Sequence, residues 1–308
     1  MTKRISSVII FNPKRLKRKK MLKLGVQVSI AGKIYYSLER AKSLGCNTMQ
    51  IFARNPRQTR KTSLSKEDIK IFRKKTKEEK IRPIVVHIPY TLNLAATKLS
   101  FYKITIREFI QDLLEADKLG ADYLVTHLGS YKGSREDLGL EKIIKALKEI
   151  IHKTKYTKTM ILLENTGGGG SLLGDSFYHH RYILERLNLN PKLGICLDTA
   201  HAWVAGYKID DLRGVNELVE EIDRLVGLNR LKLIHLNDTR EKLGSKKDRH
   251  FHIGEGRIGK KGFYFLLNHP LLKKLPFILE TPKKTDADDL KNLSVVKKLY
   301  YDEVYFRN

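Results

Sequence analysis

Six short apolar runs in this chain each lead to a side chain that can bind a metal ion. His87 closes Ile84-Val85-Val86, and His127 closes Leu124-Val125-Thr126. Glu164 closes Ile161-Leu162-Leu163, Asp198 closes Ile195-Cys196-Leu197, and Glu280 closes Phe277-Ile278-Leu279. His235 follows Leu231-Lys232-Leu233-Ile234. Taken singly, a histidine in an apolar strand is more often a satisfied core residue than a ligand, and an acid at a strand end more often caps a helix. As a set they mean something else. Three carboxylates and three imidazoles gathered in one place are costly to bury without partners. Divalent cations supply the compensation, and mixed imidazole and carboxylate donors suit zinc, manganese or iron.

Two further clusters extend the set. His201 follows Asp198 by three residues, close enough to reach a neighbouring ion. Asp248-Arg249-His250 places an acid and an imidazole two apart, so both can face one side of an extended segment. The resulting donors are too many for one ion and fit two or three. Ions about 3.5–4 Å apart would activate a bridging water and neutralise a leaving oxygen, a geometry suited to phosphodiester hydrolysis. Sugar isomerisation at one or two metals stays open on these residues alone, as does nucleic-acid binding without catalysis. Of the other histidines, His179 and His180 fall inside a helical stretch, and His152 and His269 on helical or loop surfaces. His252 neighbours the Asp248/His250 pair, where it could support a ligand.

The elements that must position these residues alternate along the chain. Strand-like runs rich in Val, Ile and Leu cover Leu22–Val28, Thr48–Phe52, Pro83–His87, Tyr123–His127, Thr159–Glu164, Leu193–Asp198, Leu231–Leu236 and Pro276–Glu280. Their apolar character throughout predicts strands buried on both faces. Amphipathic stretches lie between them at Ile34–Leu44, Lys66–Lys80, Tyr102–Leu119, Arg135–Lys153, Ile209–Val226 and Asp286–Leu299. Eight strands alternating with helices predict an α/β protein, a single-domain (β/α)8 TIM barrel over residues 21–308, whose catalytic mouth is formed by the C-terminal strand ends. The segment Gly254-Glu255-Gly256-Arg257-Ile258-Gly259 matches a dinucleotide fingerprint but follows no strand, so it fails the context that motif requires. Gly167–Gly170, just after Glu164, predicts a tight turn that lets a ligand approach the backbone.

Composition bears on partners. Sixty Lys and Arg against 34 Asp and Glu give a formal charge of +26, which favours polyanions, nucleic acid first among them. A lysine-rich proteome would give the same surplus without any partner. Residues 1–20 carry eight Lys/Arg and no acid, forming a basic extension that is either an arm or localisation signal, or a solvated terminus. Two cysteines, Cys46 and Cys196, give neither a disulfide framework nor a CxxC metal site, which fits an intracellular, reducing compartment. This is the cytoplasm or nucleoid, or the nucleus if the basic arm is a signal. No apolar run reaches the length of about 20 residues needed to span a bilayer, and no signal peptide or membrane partner is expected.

The segments Leu163-Glu164-Asn165-Thr166, Cys196-Leu197-Asp198-Thr199-Ala200-His201-Ala202 and His235-Leu236-Asn237-Asp238 resemble the endonuclease IV family of apurinic/apyrimidinic (AP) endonucleases. Asp248-Arg249-His250 followed by Ile253-Gly254-Glu255-Gly256 and Ile258-Gly259 is the most specific match. The similarity runs in order from about Met21 to Glu280. It implies a barrel with three zinc ions, with manganese or iron an alternative at some positions, acting as a monomer on double-stranded DNA in base excision repair. Hydrolysis 5′ to an abasic site would leave a 3′-hydroxyl and a 5′-deoxyribose phosphate. By the same resemblance, His87 and His127 hold the first ion, and Glu164, the catalytic centre of the set, bridges it to the second. Asp198, His235 and Glu280 complete the second site, and His201, Asp248 and His250 hold the third. Arg57 and Tyr90 fall where family members insert side chains into the duplex, and an abasic nucleotide, having no base to unstack, is cheaply extruded. The chain departs from the family at Thr91, where some members carry Leu, at Ala200 in place of Cys, and at Gly169 in place of Gln.

Overall fold

The computed structural model of the chain describes residues 21–52, 54 and 64–301. The basic extension 1–20 and Arg57 lie outside the described residues. Eight parallel strands carry the fold: β1 (Leu24–Val26), β2 (Met49–Phe52), β3 (Ile84–His87), β4 (Tyr123–His127), β5 (Met160–Glu164), β6 (Leu193–Asp198), β7 (Leu231–His235) and β8 (Phe277–Leu279). Each pairs with its neighbour in sequence from β2 to β8, and β8 pairs with β1 through Leu24 opposite Phe277. A bridge between Gln27 and Gln50, with the Val28 amide donating to the Gln50 carbonyl at 2.8 Å, joins β1 to β2 and closes the ring. The predicted (β/α)8 barrel is the observed one, with strand limits within two residues of expectation.

The helices are α1 (Tyr36–Ser43), α2 (Lys66–Glu78), α3 (Leu99–Leu119), α4 (Glu136–Lys153), α5 (Phe177–Arg186), α6 (Thr199–Ala205), α7 (Leu212–Leu225), α8 (Gly259–Asn268) and α9 (Asp286–Tyr301). Local chemistry sets their ends. The Ser65 hydroxyl accepts the Asp68 amide ahead of α2 at 3.0 Å, and the Asp211 carboxylate accepts that of Gly214 ahead of α7 at 2.8 Å. Gly120, at φ 75°, ends α3 in the left-handed conformation that favours glycine. On α7, Val215, Leu218, Val219, Ile222 and Leu225 form the buried stripe that a helical period demands. None of the helices among the described residues is long and apolar enough to cross a membrane.

The barrel interior explains how the mouth is built. Val85, Val125, Leu162, Cys196, Leu233 and Ile278, one from each of β3 to β8, form a buried apolar cluster of their own. Because side chains alternate along a strand, the residue two positions later points the same way. Those residues are His87, His127, Glu164, Asp198, His235 and Glu280. One irregularity is needed to align them. A bulge shifts the β6/β7 register between Ile195 and Cys196, passing over Lys232, so that Asp198 lies opposite His235 rather than Ile234. Without it every later side chain of β7 would face the other way.

Corrections fall at the edges. His269, expected on the surface, is 4% exposed at the end of α8, its Nδ1 accepting the Leu271 amide. His152 is exposed and His180 fully buried on α5.

Candidate metal centre

The carboxylate of Glu164, at the end of β5, lies at the centre of the mouth and is fully buried. Its two oxygens face two different sets of donors. Oε2 lies 3.0 Å from His87 Nε2 and 3.2 Å from His127 Nε2; Oε1 lies 2.9 Å from His235 Nδ1. Around it, donor atoms form three groups, each with members within 4.8 Å of one another: His87, His127 and Glu164; Glu164, Asp198, His235 and Glu280; and Asp198, His201 and His250. Asp248, which is half-exposed, joins the last group, its carboxylate 3.1 Å from His201 Nε2 and 3.4 Å from His250 Nε2. The nine residues expected to act as ligands are thus brought together, with Glu164 and Asp198 each shared between two groups.

Hydrogen bonds show which ring nitrogen is free to bind a cation. His87 Nδ1–H donates to the Ile88 carbonyl at 2.6 Å, His201 Nδ1–H to the Asn165 carbonyl at 2.9 Å, and His250 Nδ1–H to the Glu280 carbonyl at 3.3 Å. In each, the lone pair is left on Nε2, pointing into the mouth. His250 Nε2 is buried without any hydrogen-bond partner. His87 Nε2 and the Glu164 carboxylate face each other at 3.0 Å, two electron-rich atoms that require a proton or a cation between them. The donor set therefore fits divalent cations.

Two buried amides hold the acids in place. The Asn165 side chain accepts the Asp198 amide at 2.7 Å and donates to the Asp198 carbonyl at 3.0 Å. Asn237 Nδ2 donates to Asp198 Oδ2 at 2.6 Å, while its Oδ1 accepts the Glu280 amide at 2.8 Å. Asp198 also caps α6, its Oδ1 accepting the His201 amide at 2.8 Å. The cap occupies only one oxygen: Oδ1 starts the helix that carries His201, and Oδ2 faces His250 across the mouth.

Electrostatics agrees with a cation site. Burial alone would raise the Glu164 pKa, but the rings of His235, His127 and His201 hold it well below the usual carboxylate range. Burial would lower His201, yet the carboxylates of Asp198, Asp248 and Glu164 lift it well above 6.5. Asp248 is drawn down to about 2: burial raises it, and the hydrogen bond to His201 together with the charges of the His201, His250 and His127 rings outweighs that.

Tyr90 lies on the turn after β3 and is 68% exposed, so it is not a core residue. The glycines 168–170 all adopt positive φ, as the tight turn after Glu164 requires. The segment from Gly254 to Gly259 has a structural role: the amides of Gly254, Gly256, Ile258 and Gly259, with that of Thr239, converge on the buried Asp238 carboxylate. Sequence reasoning passed over Gln50 on β2, which lies between His235 and Glu280. A polar residue between Met49 and Ile51, inside an apolar run, was the available signal.

Comparison with known proteins is consistent with this arrangement. Residues 38–298 match the model of a family described as a xylose isomerase-like TIM barrel. A protein of Halothermothrix orenii named probable endonuclease 4 is 40% identical over 281 residues, covering 91% of this chain and all of that protein. The crystal structure of endonuclease IV from Thermus thermophilus superposes with a TM-score of 0.79 at 34% identity, covering 90% of this chain and 98% of that one. A D-tagatose 3-epimerase-like protein, at TM-score 0.67 and 21% identity over 89% of this chain and 96% of that one, shares the fold.

Proposed function

The chain belongs to the endonuclease IV family, and from that premise we propose that it is a metal-dependent AP endonuclease that hydrolyses the DNA phosphodiester 5′ to an abasic site. The products would be a 3′-hydroxyl and a 5′-deoxyribose phosphate. The observation that carries the reading is the trio of donor groups joined through Glu164 and Asp198. His87 and His127 would hold one ion, Asp198, His235 and Glu280 a second, and His201, Asp248 and His250 a third, with Glu164 between the first two. Zinc suits this donor set, and manganese or iron could replace it at some positions. Bound cations would supply a water acidic enough to act as nucleophile near neutral pH and would neutralise charge on the leaving oxygen.

The chain's own residues do the positioning. Asn165 and Asn237 fix both ends of Asp198, and Asn237 also fixes Glu280, so the acids meet the rings without rearranging. The exposed ring of Tyr90, on the turn that follows β3, would offer an aromatic face to the gap left by a missing base. Arg240, Lys242, Lys246, Lys247 and Arg249, all exposed on the segment after β7, flank the third group and suit contact with duplex phosphates. The chain would act as a monomer.

A sugar epimerase of the same fold needs fewer ions and no basic rim, which is why the third group weighs against it. Incubation with a duplex bearing one abasic site tests the proposal. A single nick 5′ to the site, lost on chelation and absent from undamaged duplex, is expected; no nick with metal-loaded protein would refute it.

A further inference from the structure

His235 differs from the other liganding rings in which nitrogen it turns to the centre. Its Nδ1 faces Glu164 Oε1 at 2.9 Å and Glu280 Oε2 at 3.3 Å, while its Nε2 points to the side chain of Gln50 at 2.8 Å. Gln50 is fully buried, and its other end lies 2.6 Å from Glu280 Oε1. A carboxylate oxygen only accepts, so the amide NH2 of Gln50 must face Glu280. That choice turns Gln50 Oε1 towards His235. An amide oxygen also only accepts, so the proton of the neutral His235 ring must be on Nε2, leaving the lone pair on Nδ1. We propose that Gln50 is a positioning residue that fixes the tautomer of His235 and the orientation of Glu280, making His235 an Nδ1 ligand of the ion it shares with Asp198 and Glu280.

The inference rests on the metal-site reading above. It follows from a chain of one-way hydrogen bonds: Glu280 orients the amide, and the amide sets the ring. His87, His201 and His250 reach the opposite tautomer because each donates Nδ1–H to a backbone carbonyl. A backbone carbonyl is fixed by the strand, whereas Gln50 is a side chain on a different strand from both its partners, β2 against β7 and the end of β8. The same residue's carbonyl accepts the Val28 amide at the seam where the barrel closes, so its backbone is held as well. Gln50 thus links closure of the barrel to the geometry of one ion site.

Two measurements test this. In zinc-loaded protein labelled with 15N-histidine, multiple-bond 15N–1H correlation reads each ring's protonated nitrogen. One liganding histidine, assigned to His235 through His235→Asn, is expected to carry its proton on Nε2; Nδ1 protonation at that ring would overturn the inference without any change at Gln50. In the second, Gln50→Met, which keeps the volume and removes both hydrogen bonds, is expected to release one ion of the set about 10–100-fold more readily to a chromogenic chelator. Release matching the wild type would overturn the inference while leaving the metal-site reading intact. Failure of wild-type protein to bind zinc at all would overturn that reading and the inference with it.

Discussion

Asp238 offers a sharp test of how the segment after β7 is held. Its buried carboxylate accepts five backbone amides: Oδ1 takes Thr239 at 2.8 Å and Ile258 at 3.1 Å, and Oδ2 takes Gly254 at 3.0 Å, Gly256 at 2.9 Å and Gly259 at 3.4 Å. Asp238→Asn keeps the shape but replaces one oxygen with a donor. In its better orientation the Asn oxygen takes the Oδ2 place, leaving the Thr239 and Ile258 amides facing an NH2 group. Two unsatisfied buried amides cost about 1–3 kcal/mol each, or about 2–6 kcal/mol together. Unfolding entropy of about 2.1 cal/mol/K per residue, applied to 308 residues, converts this to about 1.5 °C per kcal/mol. The melting temperature, followed by circular dichroism at fixed zinc and pH, should therefore fall by about 3–9 °C. A fall of less than 1 °C would refute the view that this carboxylate organises the glycine-containing loop.

Further predictions concern the site and its surroundings. In metal-free protein, burial lowers the pKa of His201 and His235, but Asp198, Asp248 and Glu164 around His201, and Cys196, Glu280 and Glu164 around His235, lift both well above 6.5, while the surrounding imidazoles hold Glu164 and Glu280 below 4.5. The raised rings stabilise the fold below pH 6.5 and lose that contribution as pH rises through their folded values; the depressed acids stabilise it above pH 4.5 and lose it as pH falls. Melting of the metal-free chain should thus peak between those limits, and zinc should add more stability as pH rises because its ligands must be deprotonated; a metal-free optimum near pH 9 would contradict this. Burial pushes the Cys196 thiol up to about 12 and the Cys46 thiol up to about 11, so mass spectrometry should find neither alkylated by iodoacetamide at pH 8 until the chain is unfolded. Tyr90→Ala should leave bound zinc unchanged and weaken binding of an abasic duplex at least fivefold, about 1 kcal/mol of lost stacking, in a fluorescence anisotropy titration; unchanged affinity would remove Tyr90 from the interface.

The mouth was legible in the sequence because two simple periodicities coincide in it. Apolar runs marked the strands, and the period of two placed His87, His127, Glu164, Asp198 and Glu280 on the same inward face as the residues beneath them. His235 was found by residue type, but its alignment with Asp198 depends on a bulge at Lys232, which the sequence shows only as one polar residue in an apolar run. The short helix Thr199–Ala205 and the helix Gly259–Asn268 were not expected as helices. The first is seven residues with β-branched and aromatic members, and the second carries two glycines, so local propensity argues against each and tertiary packing overrides it. Asn165 and Asn237 were visible as motif residues, but their task is defined by partners 33 and 43 residues away. Gln50 stands out in the sequence only as a polar residue in an apolar run; its task was not legible, because its partners are 185 and 230 residues distant and glutamine has no ligand signature.

Central to this view of the molecule is that nine side chains, shared through Glu164 and Asp198, hold three ions that act together on DNA. Zinc titration of chelated protein, with bound metal counted per chain and abasic-duplex incision measured at each step, tests it most directly. Saturation at three zinc per chain is predicted, with incision returning as the third ion enters. Saturation at one or two ions, or incision by protein free of metal, would contradict it.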